Sequence, residues 1–120
     1  MKVNLVDKRV GMSKDDIVRY QIMTHCYTNK IPITESDLSC LTLLAIHGEE
    51  ELTEFCIIAT EKRIFKSTQT VRNCLVKLEK AGLITKDGKS KKRRISVNQD
   101  IKIQSTGNIV LNYKFYHIES

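Results

Sequence analysis

Apolar and polar positions recur along this chain with two different periods, and the switches between them divide it into elements. Residues 2–6 alternate weakly and predict a short strand. From Ser13 the period becomes helical. The Ser13 hydroxyl can accept from the free amides of a first turn, and Asp15 and Asp16 suit the positive end of the helix dipole. This helix is expected to run to about Thr28, with Ile17, Tyr20, Gln21, Thr24 and Tyr27 on one stripe and Val18, Ile22 and Cys26 on its shoulder. Pro32 forbids its continuation. A second helix begins at Thr34 and repeats Leu38, Leu41, Leu44 and Ala45 at helical spacing before Gly48. The run 41–46 is apolar almost all round, which makes this helix central to the core.

Glu49-Glu50-Glu51 predicts the acidic start of a third helix, ending near Thr60–Arg63. Leu52, Phe55, Cys56 and Ala59 form its buried stripe, and Ile57 and Ile58 leave its outer side unusually apolar. A fourth helix takes Ser67 as its cap. Val71, Cys74, Leu75 and Leu78 line one face; Gln69, Asn73, Val76, Lys77 and Lys80 lie opposite, with Arg72 on the flank. Gly82 ends it and Leu83-Ile84 fold back as a strand. Asp87-Gly88 signals a tight turn, Arg94–Val97 return as a second strand, and Lys89, Lys91, Lys92 and Arg93 occupy the tip. In the tail, Ile101–Gln104 and 109–117 alternate with period two on either side of Ser105-Thr106-Gly107-Asn108, predicting an appended β-hairpin. The expected fold class is α+β: a helical core with a two-stranded wing over residues 1–98, then a C-terminal β-hairpin arm over 99–120.

At 120 residues the chain suffices for one domain with a core. No run approaches the ~20 apolar residues of a membrane span. The opening segment Met1–Lys8 is too polar for a signal peptide, which points to the cytoplasm of a bacterial or phage-infected cell. Cys26, Cys40, Cys56 and Cys74 form no C-x-x-C pair and have no histidine at ligand spacing. They are expected to be small buried thiols rather than metal ligands, with two disulfides as the alternative. His25, His47 and His117 stand far apart, and no catalytic triad, phosphate-binding glycine loop or carboxylate pair is recognisable. The expectation is no catalysis, no cofactor and no metal.

Charge changes the picture. The net charge is +6, but between Lys62 and Arg94 twelve basic side chains stand against two acids. The rest of the chain is net acidic. A surface polarised in this way attracts and orients polyanions.

The stretches T-E-S-D-L-S-C-L-T-L-L-A-I-H-G at 34–48 and S-T-Q-T-V-R-N-C-L-V-K-L-E-K-A-G-L-I at 67–84 resemble winged helix-turn-helix proteins, in particular MarR-type bacterial and phage regulators, over about residues 34–97. The resemblance implies double-stranded DNA binding. By position it assigns Thr68, Gln69, Thr70, Arg72 and Asn73 to the major groove and the wing cations to phosphate or the minor groove. The chain departs from that family in ending with strands rather than long dimerising helices, and in having Asp87-Gly88-Lys89 where the family carries Asp-x-Arg.

The residue chemistry points the same way. The amides of Gln69 and Asn73 suit adenine N6/N7, and the Arg72 fork suits guanine O6/N7. Ser67 is first a cap, though a cap can also donate to phosphate. Thr68 and Thr70 suit phosphate or a thymine methyl, and Lys77 shares the outer face. Lys86, Lys89, Lys91, Lys92, Arg93 and Arg94 would supply backbone affinity, with Lys62, Arg63 and Lys66 adding to it. The expected function is a sequence-specific transcriptional regulator, dimeric or bound to a protein partner through the N-terminal segment and the C-terminal hairpin. The alternatives are a structural or adaptor protein of a phage particle or similar assembly, and a replication-initiator module.

Overall fold

The computed structural model describes residues 2–88, 93–106 and 110–119. In chain order the elements are β1 (Lys2–Gly11), α1 (Lys14–Thr28), α2 (Glu35–His47), β2 (Glu50–Glu51), α3 (Leu52–Glu61), α4 (Thr68–Lys80), β3 (Ile84–Asp87), β4 (Arg94–Val97) and β5 (Val110–Glu119). The fold is α+β: among the described residues, four helices, a small antiparallel sheet of order β2-β4-β3, and a separate two-stranded ribbon of β1 and β5.

The helix starts follow their local chemistry. Ser13 Oγ accepts the Asp16 N–H at 3.2 Å and opens α1. At α2 the cap is reciprocal: Thr34 Oγ1 accepts the Asp37 N–H at 3.1 Å, and the Asp37 carboxylate accepts the Thr34 N–H at 2.9 Å. Two orphan amides of the first turn are thereby satisfied. Helix α3 begins from Glu51 with no side-chain cap. Its start is held from outside instead, since the Leu52 N–H donates to the Arg93 carbonyl at 2.8 Å. Glu50 and Glu51 are thus a short strand against Ile95 and Arg94, not the helical first turn their acidity suggests.

The core lies between the helices and the inner face of the three-stranded sheet. Ile22, Leu41, Leu44, Phe55, Val71, Leu75, Leu83 and Ile95 are fully buried in it. On α1 the core takes the expected shoulder and, of the expected stripe, only Ile17. Ile17, Val18, Ile22 and Cys26 are buried, whereas Tyr20 and Tyr27 are exposed and Thr24 and Thr28 donate to carbonyls of their own helix. The more apolar phase of the helix wins the core because each buried aliphatic side chain contributes ~1.5–3 kcal/mol. All four cysteines are buried free thiols. A hydrogen bond with Cys74 and burial push the Cys40 thiol up, and burial does the same to Cys26 and Cys56, so these stay neutral and inert.

The tail departs from its expected form. Residues 101–105 are not a strand, and β5 does not fold back on them. It pairs instead with β1, in an unbroken antiparallel register from Lys2↔Glu119 to Gly11↔Val110. The two ends of the described chain therefore form one arm. The intervening segment is fastened to α1 by Gln21, whose side-chain amide donates to the Gln104 carbonyl at 2.7 Å and accepts the Gln104 N–H at 2.6 Å.

Candidate nucleic-acid interface

Helix α4 is the element on which the candidate site is built. Its inner positions Val71, Cys74, Leu75 and Leu78 are buried, which fixes its roll and turns the polar positions outward. Beyond it, Gly82 at φ 76° reverses the chain, and the Leu83 N–H returns to the Leu78 carbonyl at 3.0 Å. Glycine adopts this left-handed conformation without a Cβ clash. The reversal delivers Ile84 and Ile95 to the core and sets β3 and β4 beside the helix.

At its start, Ser67 Oγ accepts the Thr70 N–H at 3.2 Å and lies 2.8 Å from Thr70 Oγ1. Ser67 and Thr70 thus spend their hydroxyls on capping. Thr68, Gln69 and Asn73 are exposed. The Gln69 side-chain N–H donates to Asn73 Oδ1 at 2.9 Å, one turn on. That bond braces the two amides and leaves Gln69 Oε1 and Asn73 Nδ2 unused among the described residues. Arg72 is half-buried and reaches Thr53 Oγ1 of α3 at 3.4 Å, where it fastens one helix to the other.

The cations divide into two sets. Three of the expected DNA-binding cations are held by acids of this same chain. Lys77 meets Asp37 at 2.6 Å, Lys86 meets Glu79 at 3.4 Å with only 12% of its side chain exposed, and Arg94 pairs with Glu49. Arg93, Lys62, Arg63 and Lys66 are exposed and enter no ion pair among the described residues. Lys89, Lys91 and Lys92 lie outside the described residues. Lys62, Arg63 and Lys66 occupy the turn that precedes α4, where Arg63 takes a left-handed φ of 60°.

Asp37 is the residue whose role the sequence reasoning missed. It is 3% exposed and accepts from Thr34, from Lys77 and, through Oδ1, from the Cys74 thiol at 3.4 Å. Burial alone would push its carboxyl up. The Lys77 ammonium, the Thr34 N–H and the Cys74 thiol outweigh burial and hold it below the ordinary carboxylate range. The partnership raises the Lys77 ammonium in turn. The signal available in sequence was the T-x-x-D spacing of a capping box at 34–37. No local signal links that aspartate to α4.

Acids stand in the first turns of α1, α2 and α3, and none stands in that of α4. No acid of its own first turn therefore compensates the positive end of its dipole. Comparison with protein-family models, curated proteins and solved structures found no match for this chain.

Proposed function

We propose that this chain is a winged-helix protein that binds double-stranded DNA, with α4 entering the major groove and the β3–β4 segment lying along the backbone. The observation that carries the reading is the start of α4. It combines a helix dipole with no acid in its own first turn, outward Thr68, Gln69 and Asn73, and an exposed basic turn at Lys62, Arg63 and Lys66. The succession of helices and the sheet order β2-β4-β3 support the winged-helix assignment.

In this reading the braced Gln69–Asn73 pair acts as a unit. Its remaining acceptor and donor match the N6 donor and N7 acceptor that adenine shows in the major groove. Lys62, Arg63, Lys66 and Arg93 supply counterion-release affinity together with the cations at the wing tip. Lys77, Lys86 and Arg94 act indirectly, by bracing α4 and the wing. Arg72 holds α4 against α3 until a guanine or phosphate competes for its guanidinium.

The test is selection of duplexes from a random pool, followed by anisotropy titration of the best site. Gln69→Ala with Asn73→Ala is expected to remove ~1–3 kcal/mol of discrimination at the selected adenines while leaving random-duplex binding intact. Engagement of about five phosphates gives a log–log salt slope of roughly −4 to −5. A pool with no enrichment and a flat salt dependence would reject the proposal.

A further inference from the structure

The β1–β5 arm is a bare two-stranded ribbon with no third strand on either edge among the described residues. Such a ribbon is marginal in water by itself. Yet its apolar side chains are out in solvent, and on both faces. Directly paired residues share a face, so the register puts Leu5, Tyr116 and Ile118 on one face, toward the tip. They are 54%, 62% and 58% exposed. The other face carries Val6, Val10 and Phe115 nearer the body, and they too are exposed. Between that second face and α1 lies a cleft of about 510 Å³, whose walls include Val10, Phe115, Met12 and Tyr20.

We propose that the occupant of this arm is a second copy of the same chain. One molecule carries both halves of the contact, an apolar tip and an apolar cleft at the arm's root. Two arms crossing head to tail set each tip into the other's cleft, a contact that repeats itself about a two-fold axis and closes. A cover on one side only would leave one of the two faces wet, whereas a second ribbon wrapping the first reaches both. The twist of a two-stranded ribbon turns the tip's face relative to the root's along its length and permits that wrapping. The area suffices. The exposed apolar side chains of the arm and Tyr20 offer on the order of 700 Å², taking ~150–250 Å² for each large aromatic. A stable interface buries ~1,200–2,000 Å² in total, a range that two such arms reach together. Asp7 and Lys114, which lie between tip and root, are already paired at 3.7 Å, while Asp16 at the cleft and Lys8 and Arg9 on the arm are of opposite sign and can meet across the two-fold. Pairing of two arms does not depend on DNA binding by α4, and each can fail without the other.

Sedimentation equilibrium of the full chain is the test. The expected mass is that of two chains, with dissociation at micromolar concentration or below. Leu5→Lys with Tyr116→Lys is expected to sediment as a single chain with the helical circular dichroism of the body retained. Tyr116→Trp gives a second readout, because the chain has no other tryptophan. Its emission should lie to the blue in concentrated solution and move to the red on dilution, at the midpoint found by sedimentation. A single-chain mass at high concentration, a dimer indifferent to the lysine substitutions, or tryptophan emission independent of concentration would each overturn the proposal. A single-chain mass would leave the arm to a different protein.

Discussion

Helices α2 and α4 begin alike and are put to opposite uses. Each opens on a hydroxyl cap, Thr34 or Ser67, that accepts from the third residue of the helix. At α2 that third residue is Asp37, which returns the hydrogen bond, is buried, and reaches across to α4. At α4 it is Thr70, which can return no charge and stays exposed. One helix start is closed electrostatically from within and serves stability. The other is left positive and open. The difference separates a cap that completes the fold from a cap that completes it only locally and leaves room for an anion.

The largest expected effect comes from removing the closure at α2. Asp37→Ala strips a partner from the Thr34 N–H, from Lys77 and from Cys74 at once, and should cost ~2–3 kcal/mol in urea denaturation. That is less than the 3–5 kcal/mol of a fully buried pair, because Lys77 can regain water. The same residue predicts an acid limb. Its folded-state pKa is lowered, so its contribution is whole above the unfolded value of ~3.9 and is lost as pH falls through the folded one. Asp37→Asn should flatten that limb, and an unchanged acid transition would show that other carboxylates govern it.

Removal of the cap at α4 is the next smaller change. Ser67→Ala should lower stability by ~1 kcal/mol, without the acid-limb signature of Asp37. The smallest effect on stability is the most informative about use. Thr68→Glu places an acid in the open first turn and should raise stability by ~0.3–1 kcal/mol. On the proposed function the same substitution should abolish duplex binding. A variant both more stable and fully competent for DNA would break the comparison.

Much of this arrangement could be read from residue order, and the failures share a cause. The α4 segment was legible because its period, its Ser67 cap and its Gly82 stop are local and agree with one another. The phase of α1 was not, since Tyr20, Thr24 and Tyr27 are apolar enough to compete with Ile17, Val18, Ile22 and Cys26 until neighbouring helices choose. Alternation identified β5 as a strand but could not name its partner, which lies at the other end of the chain. Lys77, Lys86 and Arg94 were counted as available charge. Where a long side chain reaches depends on which carboxylate the fold brings near, and Asp37, Glu79 and Glu49 belong to other elements.

The pairing of β1 with β5 also sets an order of events. Loop closure across nearly the whole chain is required before Lys2 can meet Glu119, while the helices between them close through much shorter loops. During synthesis β1 is made before the helices and must wait, unpaired, until β5 has followed them. The arm thus forms only after every segment between its two strands has been made, and any process that depends on it is withheld until then.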